Sequence, residues 1–286
     1  MKTIKYFFEF IIISLLFLIY KILGLKMSSF ISGKLFEFFG PLFRSKQIIK
    51  SNIQRAIPQI DLKEMNNIKK DMWNNYGRTL SEYMFLKDFR INKLKSNIQL
   101  EGGEILEQIK KEGTPVIFVS GHFSNFELMA MQIEKSGVNL AAIYRPLNNI
   151  FLNVLMERIR KKYICKNQIK KGTSGVRQLL KLFKEGYSIA LMIDQRVSEG
   201  IRSKLFNEDA FTTTIPAQFI KKFGCKIVPI YIERSSDINF HIKIDKPIEF
   251  SKDSSTEKIT RDLNIWLEKM ILKNPGKWIW SHNRWK

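Results

Sequence analysis

The chain has 286 residues, 44% of them hydrophobic and 26% charged, which allows one large domain with a sizeable core and excludes disordered, collagen-like and polytopic membrane chains. A total of 48 Lys and Arg against 27 Asp and Glu gives a net charge of +21, so acidic partners are expected: nucleic acid, an anionic membrane, an acidic protein or a phosphorylated substrate. Cys165 and Cys225 are far apart and lack a CxxC neighbour, which excludes a disulfide scaffold, writes no zinc site and leaves two buried thiols.

Tyr6 to Leu25 reads YFFEFIIISLLFLIYKILGL, close to the ~20 apolar positions of a membrane-crossing helix but interrupted by Glu9 and Lys21. Lys2 and Lys5 before an apolar run also fit a signal peptide, yet KMSSFISG offers no small-x-small cleavage site, so residues 1–25 are read as a retained membrane anchor rather than a cleaved signal or a buried helix. Basic residues flank both ends, and the inside-positive bias does not orient the segment. Phe30, Phe36, Phe38, Phe39 and Phe43 then fall among Lys34, Arg44 and Lys46, a pattern that suits either the headgroup boundary or packing on the domain. Residues 26–100 read as a helical, membrane-proximal region without a motif that carries chemistry.

From Thr114 onward β-rich runs alternate with amphipathic ones. Residues 115–120, 139–144, 188–194, 226–233 and 239–250 are the expected strands. Helices are expected over 126–135, 152–163, 216–223 and 256–273, and over VRQLLKLFKEG with Ser174 as its cap and Gly186 as its stop. The pattern is α/β, a mixed central sheet flanked by helices. Residues 101–286 are its catalytic region, and 26–286 are one structural unit.

Three histidines are present. His241 sits in an alternating strand, where cross-strand packing is the ordinary role, and His282 lies in the Trp-rich stretch WSHNRWK, which suits docking of that segment. His122 follows the strand PVIFVS directly, at the carboxyl end of a strand and the start of a helix, where open α/β sheets build their sites. Glu127 can reach it only if His122 precedes the helix and Glu127 opens it. Equally, Ser124-x-x-Glu127 is a capping box. The residues alone leave both readings open.

A strand followed by His-x4-Glu is the signature of the glycerolipid acyltransferase superfamily, and further blocks resemble its lipid A late-acyltransferase branch, the lauroyl and myristoyl transferases. GHFSNFE, Tyr144-Arg145-Pro146-Leu147-Asn148-Asn149, Asp194-Gln195-Arg196 with Glu199-Gly200 and Thr212-Thr213-Thr214, Val228-Pro229 with Arg234, and Pro275 to Lys286 stand in the family's order. The chain departs from it at Leu205 to Phe211, which lack a Phe-Phe-Gly-like turn, at Lys277 in place of Gln, and at Asn283 where Arg is common.

The resemblance implies an acyl-carrier-protein-dependent O-acyltransferase that acylates a hydroxyl of a lipid A precursor, with no metal or cofactor, at the cytoplasmic side of an inner membrane. It implies His122 as general base and Glu127 as its orienting carboxylate. Arg145 is read as an anion clamp or a surface ion pair, and Asn148 as a substrate contact. Asp194 and Gln195 contact the acceptor sugar or cap a turn. The cationic face Arg158, Arg160, Lys161, Lys162, Lys166, Lys170 and Lys171 is a solvated helix or the landing site of an acidic carrier protein. The alternatives are another glycolipid or glycerolipid acceptor, or a non-enzymatic basic module. Nucleic acid is not expected, since no RNP box or zinc-ligand set accompanies the charge.

Overall fold

The computed structural model describes residues 2–286. Its first element, α1 (Lys2–Phe39), is apolar along its length and breaks at Gly24, where φ 75° and ψ 165° leave helical geometry, a backbone that glycine adopts without a Cβ penalty. The break gives two arms. The second arm packs across α3 (Leu62–Glu82) through a stripe of small residues: Ser28, Ser29, Ser32 and Gly33 are buried. Ser32 Oγ donates to the Gly77 carbonyl at 2.6 Å, and a Cβ added to Gly77 would lie 2.2 Å from the Ser32 backbone carbonyl oxygen. Between them α2 (Lys46–Ala56) starts on a Ser45 cap, as α3 starts on Asp61. A 3-10 turn, Tyr83–Phe85, and α4 (Leu86–Arg90) complete the helical region.

The sheet region runs β1 (Ile98–Glu101), α5 (Gly103–Glu112), β2 (Ile117–Ser120), α6 (Glu127–Lys135), β3 (Leu140–Tyr144), α7 (Ile150–Tyr163), β4 (Asn167–Lys170), α8 (Thr173–Lys184) and β5 (Ser188–Met192). A hairpin of β6 (Ile201–Leu205) and β7 (Glu208–Thr212) follows, then α9 (Ile215–Phe223), β8 (Ile227–Ser236), β9 (Asn239–Ile244) and α10 (Thr256–Lys273). Seven strands form one sheet in the order β1-β9-β8-β2-β5-β3-β4, parallel throughout except between β8 and β9. The mixed sheet flanked by helices is the expected architecture. Its central strands are buried on both faces, which is why β2 reads IFVS and β5 SIALM without alternation.

All five expected strands are present, though 239–250 stops at Ile244 and 188–194 at Met192. Four others carried too little signal. β1 and β4 are short sheet edges, IQLE and NQIK, and the β6–β7 hairpin is rich in charge. Ser174 is not the cap expected of it: the cap is Gly172, two residues earlier, and α8 starts at Thr173. Cys165 and Cys225 are both buried free thiols.

Candidate active site

β2 and β5 are parallel neighbours, with Ser120 opposite Met192. Two residues beyond that pair, His122 and Asp194 therefore meet at the carboxyl edge of the sheet. His122 Nδ1 lies 2.8 Å from Asp194 Oδ1, and the His122 backbone N–H donates to Asp194 Oδ2 at 2.7 Å. The Trp278 indole N–H donates to the same Oδ2 at 2.8 Å. Asp194 is 2% exposed. Burial alone would raise its carboxyl, but the His122 charge, the His122 ring and backbone N–H and the Trp278 indole outweigh that and hold it at about 2. A carboxylate so held fixes the imidazole with hydrogen on Nδ1 and a lone pair on Nε2. Gln195 Nε2 lies 3.4 Å from that Nε2, and the Phe126 ring stands edge-on to the imidazole with centroids 4.7 Å apart.

The turn carrying His122 is pinned from three directions. Ser124, at φ 42°, receives the Arg234 backbone N–H on its Oγ at 3.0 Å and donates its own N–H to the Lys277 carbonyl at 3.0 Å. Its carbonyl accepts from Thr79 Oγ1 at 3.2 Å and Asn75 Nδ2 at 3.4 Å. Behind it Glu82 holds Arg234 through both carboxylate oxygens, at 2.6 and 3.0 Å, and accepts from Ser29 Oγ at 2.8 Å and Asn125 Nδ2 at 2.9 Å. One buried carboxylate thus ties α1, α3, the His122 turn and β8 together.

Glu127 is placed differently from both sequence readings. Its Oε1 accepts from Arg160 Nε and Nη2, at 2.9 and 2.7 Å, and from the Tyr83 hydroxyl. The direct bond expected between Glu127 and His122 is not the arrangement found, because the imidazole Nδ1 is taken by Asp194 and the Glu127 carboxylate by Arg160. Nor is there a capping box, since α6 has no side-chain cap and Ser124 Oγ serves Arg234. Burial works against the Arg160 charge, yet Tyr83 and Glu127 outweigh it and raise that guanidinium further. Arg160, expected on the cationic outer face of α7, turns its side chain inward instead. Arg158, Lys161, Lys162, Lys166, Lys170 and Lys171 do remain exposed.

His122, Glu127, Arg145, Asn148, Arg160, Gln195 and His282 line a cavity of about 750 Å³. Part of its wall is apolar, with Phe118, Met129, Ala130, Ile133, Ala142 and Ile164 among the lining residues, and further polar residues such as Lys171, Thr213 and Asn283 also line it. Asp194, expected to touch the acceptor sugar, stands behind His122 rather than on this wall. Asn149, beside Asn148, caps α7 through Phe151 and Leu152. Among the described residues no cluster of His, Cys, Asp and Glu is arranged to hold a metal ion.

The Trp-rich segment closes the site from one side. Asn52 Nδ2 donates to the Trp280 and His282 carbonyls at 2.9 and 2.8 Å, and Arg284 reaches the Phe211 carbonyl and Thr212 Oγ1. His282 Nε2 accepts the Arg196 backbone N–H at 3.0 Å. Burial pushes the His282 imidazole down to about 4 against the pull of Asp194, with His122, Arg284 and Arg145 adding to the fall, so it is a weak base whose Nε2 is already taken by Arg196. The discarded His241 pairs with Glu101 and Glu233 on neighbouring strands. Sequence reasoning passed over Tyr83, Glu82 and Trp278. The WxW pair carried the only signal among these, through its place in a resembling block.

A family model described as bacterial lipid A biosynthesis acyltransferase matches residues 1–286. The chain belongs to this family. It is therefore an acyltransferase of lipid A biosynthesis, as the motif resemblance implied. The lipid A biosynthesis palmitoleoyltransferase of Escherichia coli (strain K12) is similar at 22% identity, over 86% of this chain and 80% of that protein. The lauroyltransferase of the same organism is 24% identical over 85% and 79%. A lipid A biosynthesis acyltransferase of Haemophilus influenzae is 25% identical over 85% and 78%. Identity this low leaves the acyltransferase scaffold free to differ in its contacts, and the Asp194 and Glu127 geometries above are properties of this chain.

Proposed function

We propose that this acyltransferase moves a fatty acyl chain from an acyl carrier protein thioester to a hydroxyl of a lipid A precursor, with His122 as general base, at the cytoplasmic leaflet of an inner membrane. The observation that carries the reading is the buried Asp194–His122 pair, whose imidazole borders a cavity with an apolar wall. Nε2 takes the hydroxyl proton as the acceptor oxygen attacks the thioester carbonyl. The tetrahedral intermediate then collapses, the carbon–sulfur bond breaks, and the imidazolium returns the proton to the leaving thiolate. Asp194 keeps the tautomer and stabilises the imidazolium. Arg145 and Gln195 are the positive and hydrogen-bonding groups available to the acceptor and the oxyanion. Glu127 acts through Arg160, holding α7 and the cavity wall rather than the ring of His122.

The test is transfer by the purified protein from an acyl carrier protein thioester to a lipid A precursor, read as the added acyl mass. A protein that acylates a different glycolipid or glycerolipid in preference would overturn the acceptor. The cavity is assigned to the acyl chain, so Ala130→Phe is expected to shorten the transferred chain at a stability cost of about 1–3 kcal/mol; an unchanged product mass would remove that assignment. Donor docking rests on the basic surface. Reversing Arg158, Lys161, Lys162, Lys166 and Lys170 to Glu is expected to raise the apparent KM for the carrier thioester about tenfold at low salt, and less above 0.1 M, where surface charges are screened over ~10 Å. Equal use of coenzyme A thioesters would contradict the donor.

A further inference from the structure

One helix is long and apolar enough to cross a membrane by length and composition, but the way its first arm is bonded argues for a different placement. The arm is fixed to the body at both ends and in between. Near its start, Asn149 Nδ2 donates to the Tyr6 carbonyl at 2.8 Å and to Glu9 Oε2 at 3.1 Å, while Phe7 and Phe10 pack on Phe151 of α7 with ring centroids 5.5 and 6.0 Å apart. Along its middle Ile13 and Leu16 pack half-buried against the core, and further on Phe17 and Tyr20 are buried in it. Near its end, Lys21 Nζ donates to the Met84 carbonyl at 3.1 Å and pairs with Asp88. Tyr6 to Lys21 is ~22 Å of helix with one side laid against the body, whereas crossing a bilayer would need ~30 Å of hydrocarbon to replace these partners. Detaching the arm would leave Lys21 without Asp88 and Glu9 without Asn149, with Lys5 of the same arm still beside Glu9.

The opposite side of the arm faces out, with Phe8, Ile12, Leu18 and Ile22 exposed. Next to its start, α7 exposes Ile150 and Val154, 55% and 51% accessible and one turn apart. Beyond it Phe43 is 75% exposed and also lines the cavity. Lys2, Lys5, Lys26, Lys34 and Arg44 stand among these residues in a chain of net charge +21, complementary to an anionic leaflet. We infer that the first arm of α1 does not cross the bilayer but lies in the plane of one anionic leaflet, with Ile150 and Val154 completing the same lipid-facing surface. Phe43 would then bring the cavity to the same lipid surface, a consequence that rests on the acyltransferase reading; the in-plane placement does not.

Two measurements on the full chain test it. Phe10→Cys with Phe151→Cys, in membranes of expressing cells, is expected to be joined by a short thiol cross-linker as completely as in detergent, the two native thiols being buried. Cross-linking in detergent but not in membranes would mean that the arm leaves the body, and would overturn the placement. Ile150→Glu with Val154→Glu is expected to weaken binding to phosphatidylglycerol vesicles about tenfold or more. Vesicle binding unchanged by that pair, or a dimer in solution that the pair dissociates, would assign the surface elsewhere and overturn it. Transfer to detergent-dispersed acceptor, measured on the same proteins, reports on the acyltransferase reading independently of either result.

Discussion

Asp194→Asn is expected to lower turnover by about 10²- to 10⁴-fold with the fold retained. The reason lies in the two donors that converge on Oδ2, the His122 backbone N–H and the Trp278 indole. An asparagine must turn its only oxygen toward them, which points its NH2 group at His122 Nδ1. That ring nitrogen must then be the acceptor, the hydrogen moves to Nε2, and the base loses the lone pair it presents to the cavity. His122→Ala is expected to cost as much, and the double variant no more, because the two side chains act as one unit. Glu127→Gln leaves the imidazole tautomer alone and should cost far less in turnover. An Asp194→Asn enzyme within about tenfold of wild type, beside a dead Glu127→Gln, would return the pairing to Glu127. The same carboxylate sets a pH dependence of stability. Its folded value of about 2 lies below the ordinary 3.8, so its contribution is full above pH 3.8 and is lost as pH falls through about 2.

Glu82→Ala is expected to destabilise the protein by about 3–5 kcal/mol, read from denaturant unfolding in detergent. The variant leaves Arg234, itself 7% exposed, buried without its counter-charge, and also strands Ser29 and Asn125. Ser29→Ala removes one neutral donor from the same carboxylate and should cost about 1 kcal/mol. Equal losses for the two would mean that Arg234 finds another acceptor, and the Glu82–Arg234 pair would not be the tie described.

The legible part of this molecule follows from repetition of local pattern. Buried strands such as PVIFVS and the striped helices announce themselves within a dozen residues, and the position of His122 after such a strand located the cavity edge. What failed was adjacency. Asp194 is 72 residues from His122, and only the order β2-β5-β3 makes them neighbours; had the sheet been built in chain order, Arg145 after β3 would have stood there instead. Glu127 misled for a related reason. Its spacing from His122 permitted contact, but spacing says nothing of Arg160 and Tyr83, which arrive from α7 and the end of α3. Tyr83, Glu82 and Asn75 lay in a stretch whose helical pattern was plain and whose inward polar residues had no partner visible in the sequence. The Phe-rich stretch likewise left both packing and lipid contact open, with the adjacent anchor favouring lipid, and the structure divides it: Phe36 packs against the core while Phe38, Phe39 and Phe43 are exposed.

The bonds from Asn52 to the carbonyls of Trp280 and His282 join residues 228 and 230 positions apart, and the Trp278 indole reaches Asp194 across 84. Contacts of such separation are the last to repay the entropy of closing their loops. On refolding, helical signal should therefore return before acyl transfer.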